Sequence, residues 1–293
     1  MRSRTRIAIA LTIAGSDSGG GAGIQADLKT FAALGVHGTS VLTCVTAQNP
    51  ARVVRTEACS PGIIRAQLQA VFEELRPRAV KTGMLYSVEI VREVARFLQG
   101  EGRLPLVVDP VMVSTSGARL MEAGAVLALS EELLSMAALM TPNLHEAALL
   151  VGRKIGSVEE MRWVAKELQR RFGCAVLVKG GHLGGMKQAV DVFYNGRDEL
   201  LLSAPFVRGV KTHGTGCTFA SALLAQLAAG RGLIEAATLA KAYVTKAIEK
   251  GYPVGKGRVP LDHFYRLKIE PLARGTHEVP QHGMHPAAEP AAH

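Results

Sequence analysis

Short runs of Val, Leu, Ile and Ala alternate with segments of helical period along most of this chain, and that alternation restricts the fold more than any other feature. The strand-length runs are Ile7–Ile13, Ser40–Thr46, Ala79–Lys81, Leu106–Asp109, Ala138–Met140 and Ala175–Lys179. Helical periodicity occupies 23–34, 61–75, 87–99, 121–135, 143–152 and 157–172 between them. A strand that is apolar on both faces must be covered on both faces. The pattern therefore predicts βαβ units building a largely parallel sheet between two helical layers. Val190–Tyr194 and Glu199–Ser203 then flank Asn195-Gly196, the sequence of a tight hairpin turn, which predicts a small antiparallel edge. Two more helices are predicted near 215–229 and 233–250, the first rich in Ala and Leu and hence buried. No linker or composition shift divides residues 6–267, so one α/β domain is expected there. From Pro271 the chain holds four Pro, four His and five Ala in 23 residues with no apolar period, and 268–293 is predicted to be a disordered tail.

Composition narrows the class. At 48% apolar residues the 293-residue chain can form a substantial core. No apolar run approaches the roughly 18 residues of a membrane helix. Arg2, Arg4 and Arg6 before Ile7–Ala14 mimic a signal peptide, but that stretch contains Thr12 and runs straight into a glycine-rich loop, so it reads as the first buried strand. The cysteines Cys44, Cys59, Cys174 and Cys217 form no CxxC pair, which removes zinc-ribbon and thioredoxin readings and points to a reducing, cytoplasmic setting. The net charge of +9 is scattered, without a basic run or an interleaved aromatic stripe. That argues against nucleic acid and leaves room for a basic pocket taking a phosphorylated ligand.

Four segments carry chemistry. The first strand delivers Gly15-Ser-Asp-Ser-Gly-Gly-Gly-Ala-Gly23, a turn whose backbone can approach a ligand at a helix N-terminus. It is neither a dinucleotide fingerprint, because Ile24 stands where the last glycine belongs, nor a Walker A loop. Thr212-His-Gly-Thr-Gly-Cys-Thr218 opens an Ala-rich helix, where successive N–H groups form an anion hole and the dipole should depress the Cys217 thiol pKa. Asn143 and Glu146 lie one turn apart after a predicted strand. They suit either a hydrated magnesium site or a reciprocal helix cap. Asp109 and Lys179 end predicted strands, on the ligand face of a parallel sheet, and a buried Lys179 needs an anionic partner.

Together these segments resemble the ribokinase-like superfamily and, within it, the hydroxymethylpyrimidine/phosphomethylpyrimidine kinases of thiamine biosynthesis. The resemblance covers about residues 6–267. It rests on Ile13–Lys29, Thr46-Ala-Gln-Asn49, Lys81-Thr-Gly-Met-Leu85, Asp109-Pro-Val-Met112, Thr141-Pro-Asn-Leu-His-Glu146, Val178-Lys-Gly-Gly-His182 and His213-Gly-Thr-Gly-Cys217. It implies a three-layer ribokinase-like sandwich, ATP and Mg2+ as cofactors, a homodimer, and two successive phosphorylations of 4-amino-5-hydroxymethyl-2-methylpyrimidine. By position it implies that Gly214, Thr215 and Gly216 form the anion hole with Cys217 in the place of the catalytic base. Lys179, with Thr212, Gly214 and Gly216, would hold ATP. Asp109, Asn143 and Glu146 would manage the metal, and Gln48, Gly15, Asp17, Ala22, Met84 and Val111 would line the pyrimidine pocket, with Asp17 the next candidate base. Most superfamily members carry Asp where this chain has Cys217, which separates it from sugar kinases but not from a pyridoxal kinase on the same scaffold. A catalytically idle vitamin sensor is the rival of another class, and every phosphate and magnesium position being filled argues against it.

Overall fold

A computed structural model describes residues 7–112, 120–181, 183, 187–207, 211–255 and 257–267. The predicted tail lies outside these residues, as does His182. The chain opens with β1 (Ile9–Ala14), α1 (Gly23–Ala33), β2 (His37–Leu42), β3 (Cys44–Gln48), β4 (Val53–Ala58) and α2 (Pro61–Glu74). It continues with β5 (Ala79–Thr82), α3 (Val88–Gly100), β6 (Leu106–Val108), α4 (Ala123–Ala128), β7 (Leu139–Met140), α5 (Leu144–Val151) and α6 (Val158–Phe172). It closes with β8 (Ala175–Val178), β9 (Gln188–Tyr194), β10 (Glu199–Pro205), β11 (Thr212–His213), α7 (Thr215–Ala228), α8 (Leu233–Glu249) and β12 (Val259–Pro260).

Eight strands form one sheet in the order β10-β9-β8-β7-β6-β5-β1-β2. The six from β2 to β8 run parallel, and β9 and β10 add the antiparallel edge that Asn195-Gly196 announces. Strands β5, β6, β7 and β8 are buried along their whole length, which is why their sequences are continuous apolar runs rather than alternating ones. One core lies between the sheet and α2 to α6, the other between the sheet and α1, α7 and α8. Helix α7 is buried almost all round, so it must be built from Ala, Leu and other side chains that tolerate contact on every side.

Two expectations need correction, and one element had no expectation. The run Ser40–Thr46 is not one strand. At Thr43 the backbone N–H donates to Ala14 O and the side chain donates to Met84 O, ending the pairing with β1. The chain then leaves the sheet, and β3 pairs only with β4 as a separate antiparallel ribbon. β4 carries no strand signal because it has no buried face to pattern it. The helix expected over 121–135 is α only through Ala128, then passes through a π turn at Leu129–Leu133 and a 3-10 turn at Leu134–Met136.

After β1 the chain steps one way to β2, then back past β1 to β5 and onward to β8. In such a sheet the crevice for a ligand opens at the strand C-termini where the order reverses, here between β1 and β5.

Candidate active site

The segments singled out in the sequence meet at that crevice. Gly15, Asp17, Ala22, Gln48, Met84 and Val111 line one cavity of about 1100 Å3 together with Asp109, Asn143, Glu146, Lys179, Thr212, Gly214, Thr215, Gly216 and Cys217. At its mouth β1 turns at Gly15, whose N–H donates to Met84 O at 3.2 Å. A side chain at Gly15 would meet Cys44 Sγ and Met84 Cε, each at 2.6 Å, so glycine keeps the crevice open. Asp17 then organises the loop. Its carboxylate accepts from the N–H groups of Gly19, Gly21 and Ala22 at 2.8, 3.0 and 2.8 Å, and its Oδ2 lies 2.9 Å from His213 Nε2. Burial alone would raise this carboxyl. The hydrogen bonds from His213, Gly19 and Ala22 outweigh it and hold the pKa below the usual range. Both Asp17 oxygens are therefore engaged by the protein itself.

Helix α7 begins against this loop. Its N-cap, Gly214, has φ 84°, and a Cβ there would overlap the carbonyl oxygen of Gly21, so the position admits only glycine. No side chain caps the helix, which leaves the N–H groups of Thr215, Gly216 and Cys217 at its positive end facing the cavity they line. The Cys217 thiol does not behave as the sequence predicts. Burial, Asp27 and Asp109 push it up to about 12, with Lys81 and the Gly23 N–H opposing them. Beneath it lies a fully buried pair, in which Lys81 Nζ donates to Asp27 Oδ2 at 2.9 Å. Thr12 and Ser221 hydroxyls donate to the two Asp27 oxygens at 2.6 and 2.5 Å. Sequence reading missed Asp27 and Lys81. Both sit inside quoted motifs, but only the fold reveals that residues of α1 and β5 converge under Cys217.

On the other side Lys179 Nζ donates to Asp109 Oδ1 at 2.8 Å, and Thr141 Oγ1 donates to the same oxygen at 2.9 Å. Asp109 is thus the partner Lys179 requires. Burial would lower the Lys179 pKa, but Asp109 and Glu146 raise it above the ordinary lysine value. Asn143 and Glu146 form the reciprocal cap of α5. The Glu146 N–H donates to Asn143 Oδ1 at 2.9 Å, and the Asn143 N–H donates to Glu146 Oε2 at 2.8 Å. Burial pushes the Glu146 carboxyl up to about 7, with Lys179 opposing and Asp109 reinforcing the rise. Two buried carboxylates facing one ammonium leave room for a further positive charge. Among the described residues no group of three or more His, Cys, Asp or Glu could hold a metal. A cation here would draw most ligands from water and phosphate, the habit of Mg2+.

The profile of the family described as "Phosphomethylpyrimidine kinase" matches residues 17–262, the span that holds every one of these groups except Thr12 and Gly15. The chain belongs to this family. A hydroxymethylpyrimidine/phosphomethylpyrimidine kinase of Rhizobium meliloti is 51% identical over 262 residues, which is 88% of this chain and 98% of that one. A crystal structure of phosphomethylpyrimidine kinase from Clostridium difficile superposes with TM-score 0.74 at 44% identity, covering 83% of this chain and 100% of that one. An ADP complex of Bacillus subtilis pyridoxal kinase superposes with TM-score 0.82 at 37% identity, covering 88% and 98%. The phosphomethylpyrimidine kinase relatives thus extend over nearly the whole described chain, and the fold is the three-layer arrangement that the sequence implied.

One part of the cavity had no counterpart in the sequence reading. Pro205 at the end of β10, Phe206 and Val207 after it, and Val244, Thr245 and Ile248 of α8 line a largely apolar stretch of the wall. These are ordinary helix and loop residues with no motif among them. A further ion pair lines the same cavity. Lys241 Nζ donates to Asp191 Oδ2 at 2.8 Å, while Asp191 Oδ1 accepts from the Gly180 N–H at 2.9 Å, fixing the chain just beyond Lys179.

Proposed function

We propose that this chain uses ATP to phosphorylate 4-amino-5-hydroxymethyl-2-methylpyrimidine and then its monophosphate, giving the diphosphate for thiamine biosynthesis. The observation that carries the reading is a single cavity that holds a carboxamide, Gln48, and an uncapped helix N-terminus, Thr215–Cys217, linked through His213. Phosphoryl transfer asks a protein for positioning and charge neutralisation. The N–H groups of Thr215, Gly216 and Cys217 receive the oxygens of the transferred group. Lys179, with Thr212, Gly214 and Gly216, holds the ATP phosphates, and Phe206, Val207, Val244 and Ile248 give the adenine ring an apolar berth. Asp109 and Glu146 would hold Mg2+, with Asn143 orienting Glu146. The ion would supply positive charge against the phosphates.

The pyrimidine lies on Gly15, Ala22, Met84 and Val111 with its amino edge at Gln48. Asp17 shapes this pocket by holding its loop. Cys217, as the thiolate, receives the hydroxymethyl proton while the alcohol oxygen bonds to the γ-phosphorus of ATP and ADP leaves; the second acceptor is already ionised and needs only positioning. Residues 6–267 act as the kinase domain, in the cytoplasm and as a homodimer. Pyridoxal is the competing acceptor, supported by the pyridoxal kinase structure at TM-score 0.82. Coupled ADP-release assays with the pyrimidine alcohol, its monophosphate and pyridoxal decide between them. The proposal fails if pyridoxal has the highest kcat/KM or if neither pyrimidine turns over.

A further inference from the structure

His213 belongs to the motif that opens α7, yet its ring faces the other half of the cavity. Its Nε2 lies 2.9 Å from Asp17 Oδ2 and 3.1 Å from the Gln48 side-chain nitrogen Nε2. One imidazole nitrogen carries either a proton or a lone pair, so it cannot donate to Asp17 and accept from Gln48 together. Asp17 decides the matter. Its carboxylate accepts three backbone N–H groups, is 1% exposed and is held ionised, so a bare Nε2 would set a lone pair against a buried negative charge. The proton therefore sits on Nε2, whether the ring is neutral or cationic. With its single proton directed at Asp17, Nε2 has no lone pair for the Gln48 NH2, and the carboxamide relieves this donor–donor contact by exchanging its oxygen and nitrogen through a half-turn about its last bond, so that its oxygen shares that proton. The backbone of Gln48 does not follow. Its N–H donates to Ser18 Oγ at 2.7 Å, and Ser18 Oγ donates to Gln48 O at 2.6 Å, pinning the strand end on both sides.

We propose that His213 is a specificity-determining residue that fixes the polarity of the Gln48 amide, so that Gln48 offers its NH2 group and one remaining oxygen lone pair to the ligand. This rests on the reading of the cavity as a pyrimidine site. An edge with an acceptor ring nitrogen beside a donor amino group fits that pattern. An oxo-pyrimidine edge, with a protonated ring nitrogen beside a carbonyl, presents donor to donor and acceptor to acceptor. A buried mismatch of this kind is expensive, and sites that hydrogen-bond a substrate discriminate strongly against analogues that leave groups unpaired. The chain thereby reads the amino group twice over, once through Gln48 and once through the residue that keeps Gln48 from turning.

Two measurements test it. The first compares kcat/KM for the 4-amino substrate and its 4-oxo analogue in wild type and in His213→Phe, which keeps a flat ring and removes the proton. The amino-over-oxo preference should fall by about tenfold or more while KM for ATP stays within about twofold. An unchanged preference in a variant that melts and binds ATP like wild type would refute the assignment. The second needs no variant kinetics. Long-range proton–nitrogen NMR of the wild-type chain, without ligand, should report a protonated Nε2 on His213, and a bare Nε2 would overturn the proposal even if His213→Phe fails to fold. If wild type turns over neither pyrimidine, the kinase reading falls, and the tautomer measurement still judges the His213–Gln48 device separately.

Discussion

A thiol pushed up to about 12 is an awkward base, and this gives Cys217 a distinctive signature. A base must be deprotonated to act, so kcat/KM for the alcohol acceptor should climb across pH 6–9 without reaching a plateau. The phosphorylated acceptor loses its own proton near pH 6 and should level off above that. Stopped-flow rates for each substrate across this range test the difference. Cys217→Ala leaves the backbone N–H groups in place. It should cost the alcohol step about 10²–10⁴-fold and the phosphate step little, as read by single-turnover rates. Equal losses in both would make Cys217 a matter of shape. Glu146→Gln removes one of two carboxylates that balance Lys179. The magnesium concentration for half-maximal rate should rise severalfold, with kcat largely recovered at saturation; a wild-type magnesium curve would take Glu146 out of the metal's surroundings.

At the scale of elements, the buried Lys81–Asp27 pair joins β5 to α1 directly under the N-terminus of α7. Losing one member leaves the other charged and without its counter-ion. Lys81→Met should lower stability by about 3–5 kcal/mol in chemical denaturation, and the double change Lys81→Met with Asp27→Leu should recover part of it. The same pair marks where sequence reading stops. The parallel strands, the edge hairpin and the helix starts at Ser60, Ser87, Asn143 and Ser157 are legible because each depends on residues near it in the chain. β4 is not, since none of its residues is buried, and β3, which buries Cys44 and Thr46, is legible only as the end of the run Ser40–Thr46. The thiol pKa of Cys217 could not be read either. The sequence shows the favourable helix end, but Asp27 and Asp109 approach the sulfur from elements 190 and 108 positions away by residue number. The Asn143–Glu146 pair left two readings open, and the structure realises the cap.

At the scale of the whole molecule, the cavity draws on the chain from Ala14 to Arg258, and α7 and α8 supply both part of its wall and much of the second core. A chain ending near Pro271 should keep wild-type kcat/KM and melting temperature; a drop of several degrees would mean that the tail packs on the fold. Light scattering of both chains should give twice the protomer mass. One further consequence lies in the contact of His213 with Asp17, which ties together residues 196 positions apart. β1 precedes the other strands of the sheet and lies beside its edge strand β2, and the glycine loop behind it leaves the ribosome long before the helix that completes it. At about 5–20 residues per second, the loop waits roughly 10–40 s for its partner. During that interval Asp17 lacks His213, and the groove lacks the proposed anion hole. A chain truncated before residue 214 would lose that helix end together with the α7–α8 layer of the second core, and should not bind nucleotide.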